Sequence, residues 1–382
     1  MINLDLIVGA RPNFMKIAPI IRAINSHNQQ QEEENGLRKI VNYRLVHTGQ
    51  HYDRNMSGSF FEELGIPEPD VNLNAGSGTQ AEQTAGIMLG YERLLMQQKP
   101  DLCIVVGDVT STMACAIVAK KMLVHVAHIE GGIRSGDMTM PEEINRIVTD
   151  SITDYFFTTS ETANTNLRKC GIADDKIFFV GNTMIDSLLS SRPKFRKPAL
   201  WDELGLNKKS YIVLTLHRPD NVDDPVNLKR LLDEIINSSN GSPLIFPVHP
   251  RTRKVINAFT NPLSSSLYLA EPLGYLEFNY LVEHSLAVIT DSGGITEETT
   301  VMGVPCMTLR DSTERPETVT MGTNELLGTN PDAIAPAMKN LLSGKWKKGT
   351  IPPLWDGHTA ERIIEIICKL DPKPLTHKAK SK

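Results

Sequence analysis

Short apolar runs, each closing on a glycine or a polar turn and followed by helical periodicity, recur along this chain from Leu4 to Leu309. That alternation constrains the fold more than any single motif, because a strand apolar on both faces needs cover on both faces. Intervening helices supply it, so the expected class is α/β with parallel sheets. The runs fall at 4–8, 43–46, 102–106, 124–129, 155–158 and 177–180, and again at 211–216, 243–248, 286–289 and 305–309. Between the two groups the pattern lapses where Pro193, Lys194, Arg196, Lys197 and Pro198 crowd together, which predicts a domain boundary. The division expected is a first domain over 1–190, a second over 191–358, an amphipathic helix within 359–372 and a solvated, disordered basic tail over 373–382. The glutamine-rich stretch from Ser26 to Asn35 has no apolar pattern and is expected to be a solvated excursion.

Composition narrows the partners. At 382 residues, 40% hydrophobic and 22% charged with a formal net charge of -5, the chain suits two globular domains and no nucleic acid held by bulk charge. Affinity for phosphate has to be local. Five cysteines without a C-x-x-C pair read as reduced thiols of a cytoplasmic protein. No basic leader precedes the first apolar run and no stretch approaches a membrane span, so neither export nor insertion is expected.

In an open parallel sheet, ligands bind at the carboxyl ends of the strands. Those ends carry Arg11, Asp108 and Glu130 in the first half, and His217, His249 and Asp291 in the second. Any one of them reads more plainly as a cap or loop residue, and recurrence at one structural position turns the reading towards function. Thr110, Ser111 and Thr112 are expected to cap a helix over 113–122, leaving Asp108 at the sheet edge. From 285 to 317 an apolar run feeds Asp291-Ser292-Gly293-Gly294 and then a helix, an arrangement whose free amides suit a phosphate. Arg310 and Glu314-Arg315-Pro316-Glu317 follow the next run, where a guanidinium or a carboxylate can reach an ester or a sugar hydroxyl. Gly76-Ser77-Gly78-Thr79-Gln80-Ala81 fits a dinucleotide spelling, but no apolar strand precedes it, so neither nicotinamide nor flavin is expected. His128-Ile129-Glu130 is the nearest approach to a ligand pair, and no metal is expected.

These motifs together resemble one family. Gly9-Ala10-Arg11-Pro12 with Lys16, Gly107-Asp108, the run from His128 to Asp137, Pro141-Glu142-Glu143-Ile144-Asn145-Arg146, Gly181-Asn182-Thr183, His217-Arg218, Asp291-Ser292-Gly293-Gly294 and Glu314-Arg315-Pro316-Glu317 resemble the non-hydrolysing UDP-N-acetylglucosamine 2-epimerases. The resemblance implies two Rossmann-like domains facing across a cleft, a glycosyltransferase-B-like fold, and the last helix packing back on the first domain. It implies a homodimer acting on a UDP-sugar without a cofactor. The reaction implied interconverts UDP-N-acetylglucosamine and UDP-N-acetylmannosamine by eliminating UDP to a 2-acetamidoglucal and re-adding it with C2 inverted. Asp108, Glu130 and Glu142 then form the acid/base set and His217 sits beside the diphosphate. Arg11 and the turn of Ser292, Gly293 and Gly294 meet the phosphates, Lys16 is a further substrate-binding residue, Glu298 and Arg315 meet the ribose and the sugar or phosphate, and Phe278 lies against the uracil. A base near C2 needs a raised pKa, which neighbouring buried acids are expected to provide for one another.

The chain departs from many members at Asn13, where they have glutamate, at Pro272-Leu273-Gly274, where they place a glutamine, and after His217-Arg218. Related enzymes of the same framework act on UDP-2,3-diacetamido uronic acids, a hydrolysing relative releases the free sugar, and a silent sugar-nucleotide sensor is the non-enzymatic alternative. Gln50, His51, Arg218 and His249 resemble a second UDP-N-acetylglucosamine site of some bacterial relatives. With Asp53 in place of a glutamine, its coupling is expected to be weak.

Overall fold

A computed structural model describes residues 1–33, 40–49, 65–259, 263–370 and 372. The chain divides into two compact units, Met1–Ser187 joined by the segment that begins at Pro353, and Leu188–Pro352.

In the first unit the elements run β1 (Ile2–Val8), α1 (Arg11–Glu33), β2 (Val41–His47), β3 (Val71–Asn72), α2 (Gln80–Gln97), β4 (Leu102–Val106), α3 (Thr110–Lys121), β5 (His125–Ile129), α4 (Pro141–Ile152), β6 (Tyr155–Thr158), α5 (Glu161–Lys169), β7 (Ile177–Phe179) and α6 (Thr183–Ser191). Among the described residues the strands form one parallel sheet of order β3-β2-β1-β4-β5-β6-β7. The order reverses between β1 and β4, the point at which a doubly wound sheet opens a crevice beyond its strand ends. Ile7, Cys103, Val105 and Val126 pack one face of the sheet against Tyr91, Leu95, Cys115 and Ala119 of the helices.

Helix α1 runs through Ser26 to Glu33, so the solvated excursion expected there is a helical extension instead. Glutamine and glutamate are good helix formers, and Asn28 ties this part to β2 by donating to Val41 O (2.8 Å) and accepting from Val41 N (3.0 Å). Pro19 lies inside the same helix and lacks the N–H that Met15 O would accept, and the Ser187 hydroxyl donates to that carbonyl instead. The returning segment ends in α15 (Thr359–Leu370), numbered after the second unit's helices. Its first amides donate to the Asp186 carboxylate, Thr359 N at 3.2 Å and Ala360 N at 2.7 Å, and its buried face of Ile363, Ile364 and Ile367 packs against α1.

The second unit repeats the logic with α7 (Ala199–Glu203), β8 (Ile212–Thr215), α8 (Pro219–Val222), α9 (Pro225–Ser238), β9 (Leu244–Pro247), α10 (Pro250–Asn257), β10 (Leu267–Ala270), α11 (Tyr275–His284), β11 (Ala287–Thr290), α12 (Gly293–Met302), β12 (Cys306–Thr308), α13 (Pro316–Thr320), β13 (Asn324–Leu326) and α14 (Ile334–Leu342). Its parallel sheet has the order β10-β9-β8-β11-β12-β13 and reverses between β8 and β11. Alternate residues serve opposite faces: Ile212 and Leu214 join the cluster of Leu228, Leu232 and Met338, while Tyr211 and Val213 join that of Trp201, Leu281 and Val304. Both sheets are therefore covered on two sides, as the alternation of runs predicts. No helix among the described residues is long and apolar enough to cross a membrane.

Candidate active site

In the first unit, the ends of β1, β4 and β5 and the start of α4 hold the predicted acids. Asn13 is buried and joins two of these ends: its Oδ1 accepts from Gly9 N (3.2 Å) and Ala10 N (3.0 Å), and its Nδ2 donates to Val106 O (2.9 Å). One turn further along α1, Lys16 is nearly enclosed and donates to Glu130 Oε2 at 2.7 Å. A Cβ on Gly107 would lie 3.1 Å from Lys16 Nζ, and Gly107 adopts φ +67°, so glycine is needed there for conformation and space alike. Glu130 itself has φ 71°, the left-handed region, where a residue with a Cβ is strained. The chain has no slack to avoid this turn, since Glu130 N donates to Phe157 O (2.9 Å) and a Cβ on Gly132 would meet Ala163 O at 2.5 Å.

Asp108 follows Gly107 and is partly exposed. Its carboxylate accepts from Arg146 Nη2, while Asn145 Nδ2 donates to its backbone carbonyl at 2.8 Å. Arg146 also donates to Glu143 Oε2 (2.8 Å), and Glu143 accepts from the backbone of Ser135 (2.9 Å) and Gly136 (3.1 Å). Burial pushes the Glu143 carboxyl up, but these donors more than offset it and leave it below the usual range. Glu142, in the first turn of α4, is half-buried and has no hydrogen-bond partner among the described residues. The expectation of acids crowding one another is thus not what this unit shows for Asp108 and Glu130: each rests against its own cation. Arg11 opens α1, and its side chain lies outside what is described.

Behind these loops, His128 is fully buried, with Nδ1 2.7 Å from Asp150 Oδ1 and Nε2 2.8 Å from Gly107 O. Asp150 also accepts from Gly132 N (3.0 Å) and Arg134 Nη1 (2.6 Å). Burial raises the Asp150 carboxyl, and the donors from His128 and Arg134 outweigh it, so the group lies below the usual range. Thr110, Ser111 and Thr112 do not cap α3, which starts at Thr110 with Val109 in the cap position and no side-chain cap bond. Thr112 Oγ1 donates instead to Val106 O (2.8 Å), and Thr110 Oγ1 bonds Gln80 (3.2 Å).

The second unit presents a different set. Thr215 and Thr290 are register partners across the β8–β11 reversal, and their hydroxyls bond at 2.6 Å. Beyond them stand His217 and Asp291, with Nδ1 2.6 Å from Oδ1; Asp291 is fully buried and the His217 side chain is 60% exposed. Helix α12 begins at Gly293 with Ser292 as cap residue, and no side chain caps it, so its first amides face outward from a half-buried turn. Glu298, on that helix, accepts from Tyr275 OH at 2.8 Å. Burial, with a smaller repulsion from Glu297, raises its carboxyl to about 7. Arg315 Nε binds Glu297, and the Arg310 fork is engaged bidentately by Glu314 at 2.8 and 2.7 Å, because buried charges are stable only when paired. Phe278 is half-buried against Trp201 and Leu281.

Residues that the sequence left unassigned are the supports: Asn13, His128, Glu143, Asn145, Arg146, Asp150 and Asn221. Arg146 and Asn145 do lie one turn beyond Glu142, which was a usable signal. Gln50, His51 and Asp53 lie outside the described residues. Among the described residues no group of three or more His, Cys, Asp or Glu is arranged to hold a metal.

The UDP-N-acetylglucosamine 2-epimerase family profile matches residues 34–368. The chain is 41% identical to the UDP-N-acetylglucosamine 2-epimerase of Methanocaldococcus jannaschii over 377 residues, 96% of this chain and 98% of that one. It is also 39% identical over 368 residues to the UDP-2,3-diacetamido-2,3-dideoxy-D-glucuronate 2-epimerase of Pseudomonas aeruginosa, covering 95% of this chain and 99% of that one. Among solved structures, the M. jannaschii UDP-GlcNAc 2-epimerase in complex with UDP-GlcNAc and UDP matches with a TM-score of 0.82 at 40% identity, over 96% of this chain and 99% of that chain.

Proposed function

The chain belongs to the UDP-N-acetylglucosamine 2-epimerase family, and on that basis we propose that it interconverts UDP-N-acetylglucosamine and UDP-N-acetylmannosamine without hydrolysis. The observation that carries the reading is Glu130. A carboxylate in a left-handed backbone, buried on Lys16 at the carboxyl edge of a sheet, is a strained arrangement of the kind retained where chemistry needs it.

The difficult step is loss of the C2 proton, which no ring carbonyl acidifies, so departure of UDP has to share the work. In this reading, Glu130, Asp108 and Glu142 serve proton removal and return at C2. The C1–O electron pair leaves with the β-phosphate oxygen, and a 2-acetamidoglucal remains. Re-addition of that oxygen to C1 and of a proton to the opposite face of C2 completes the inversion. Lys16 holds Glu130 in place, and Arg146 does the same for Asp108. In the second unit, the turn of Ser292, Gly293 and Gly294, with the Gly293 and Gly294 amides as donors because the Ser292 amide is held by the Thr290 hydroxyl, and the ring of His217 meet the diphosphate, Glu298 and Arg315 meet the ribose and the sugar or phosphate, and Phe278 meets the base. Arg11 is assigned to the diphosphate by the resemblance alone.

The test is turnover of UDP-N-acetylglucosamine in deuterated water followed by proton NMR. A new manno anomeric signal with deuterium at C2 of both epimers is expected, and Glu130→Gln should slow it roughly a hundredfold while UDP still binds. Turnover without label at C2 overturns elimination, and free sugar with UDP marks a hydrolase. The similarity to the P. aeruginosa enzyme favours a second reading, a uronic-acid sugar nucleotide, which the same spectra decide when that substrate is offered. The reading extends to a cytoplasmic homodimer. Free cysteines, three of them buried, suit a reducing compartment, and exposed apolar side chains on α2 (Leu89, Met96) and α4 (Ile144, Ile147) suit self-association, which light scattering checks.

A further inference from the structure

We infer that Asp291 is a positioning residue that fixes the ring of His217 with its proton on Nδ1, leaving Nε2 as the atom that serves the departing phosphate. The inference rests on the reading of His217 as the residue beside the diphosphate.

Asp291 closes β11 at the point where the sheet order reverses, and its carboxylate is inaccessible to solvent. Its two oxygens are used unequally. Oδ2 accepts from His217 N (3.0 Å), Arg218 N (2.9 Å) and Asn221 Nδ2 (3.1 Å), whereas Oδ1 accepts from His217 Nδ1 at 2.6 Å and more distantly from His217 N at 3.2 Å. Burial alone would push this carboxyl up, but the His217 ring and the two amides hold it below the usual range. A carboxylate has no proton to offer, so Nδ1 has to be the donor in the short contact. The other edge of the ring is open, and Nε2 has no partner among the described residues.

The consequence is chemical. A ring that donates from Nδ1 to a buried carboxylate is stabilised when Nε2 also carries a proton, because the anion lies directly behind the cation. Nε2, open to solvent, first takes up a second proton; as the C1–O bond breaks, the electron pair goes to the β-phosphate oxygen, and that Nε2 proton is shared with it. On re-addition to C1 the proton returns to Nε2. Charge on the bridging oxygen grows from the bound substrate to the transition state, so the support acts on turnover more than on binding.

The near-isosteric Asp291→Asn replacement makes the test sharp. Three donors converge on the Oδ2 position and the amide has one oxygen, so that oxygen takes the Oδ2 place and the NH2 group takes the Oδ1 place. The NH2 group then faces Nδ1 and forces the ring proton to Nε2. Long-range proton–nitrogen NMR of the protein with labelled histidine, assigned with His217→Gln, reads the tautomer without turnover. Nδ1–H is expected in the unmodified protein and Nε2–H in Asp291→Asn. In kinetics, Asp291→Asn should lower kcat roughly a hundredfold with KM altered less than about threefold. The double variant with His217→Gln should be no worse than about threefold below either single one, since both changes remove one unit of function. A ring in the unmodified protein that carries its proton on Nε2 and none on Nδ1, an unmoved tautomer in Asp291→Asn, or multiplied losses in the double variant overturns the inference. Should Asp291→Asn not fold, the tautomer of the unmodified protein decides. A protein that failed to epimerise would still give the NMR answer, so failure of the functional reading is seen separately.

Discussion

The His128–Asp150 and His217–Asp291 pairs use the same atoms at nearly the same separation, 2.7 and 2.6 Å, and each stands at the carboxyl edge of its own parallel sheet. The first ring is sealed, with both nitrogens engaged by Asp150 and the Gly107 carbonyl. The second is 60% exposed and engaged on one side only. Distance and residue type therefore do not separate a tie from a reactive group; the number of ring atoms left open does. His128 fixes the turn from which Asp108 projects. His217 keeps an atom for a substrate.

The strongest way to break this comparison is to remove the acid of the sealed pair. Asp150→Asn leaves His128 and Arg134 without their anion, and loss of about 3–5 kcal/mol of stability is expected in urea unfolding. A smaller loss than 1 kcal/mol would show that the sealed pair is no tie.

Glu298 sharpens the contrast as a sealed acid that, among the described residues, rests on the neutral side chains of Tyr275 and Asn279 and on no cation. Its folded pKa of about 7 lies above the ordinary glutamate value of 4.5, so the folded state holds the proton longer than the unfolded chain does. Its stabilising share is fully present below pH about 4.5 and is lost as pH rises through about 7, on the order of 3 kcal/mol in all. Glu298→Gln should flatten that part of the stability profile, measured by denaturant midpoints at several pH values. An unchanged profile would place the Glu298 pKa near its ordinary value.

For the open pair, His217→Gln should cost less stability than Asp150→Asn, because the buried Asp291 carboxylate keeps its donors from the His217 and Arg218 amides and Asn221, while turnover falls roughly a hundredfold. Equal damage to stability would erase the distinction between the two pairs. The smallest effect belongs to a site with neither role. Thr79 and Glu82 form a reciprocal capping box at the start of α2, with Thr79 N donating to Glu82 Oε2 at 2.8 Å, which is why the glycine-rich spelling around it serves a helix end. Thr79→Ala should lower stability by about 1 kcal/mol with kcat unchanged, and a fall in turnover would reopen that stretch as part of the site.

What could be read from the sequence was local. Apolar runs placed strands such as Leu102–Val106 and Tyr155–Thr158 at their observed bounds, and Gly107 after the first marked a sheet edge. The edge strand Asn324–Leu326 carries one apolar residue and could not stand out, whereas Leu267–Ala270 is apolar throughout and was a usable signal. The supports of the site were hidden for another reason. Arg146 meets Asp108 across 38 positions, Asp150 meets His128 across 22, and His217 meets Asp291 across 74, so no window along the chain contains both partners. Periodicity tells which residues face inward, whereas the pairing of buried polar groups depends on which strands become neighbours.

The left-handed turn at Glu130 bears on how this chain can drift under mutation. Glycine at that position relieves backbone strain of about 1–2 kcal/mol, a standing reward for losing the acid. Yet the same step leaves Lys16 enclosed without its anion, and replacing Lys16 first takes from Glu130 the cation held at 2.7 Å. Each single step is penalised, and relief comes only when both change together. The strained acid is thus protected by a stability valley that random substitution has to cross in one double step, independently of any selection on turnover.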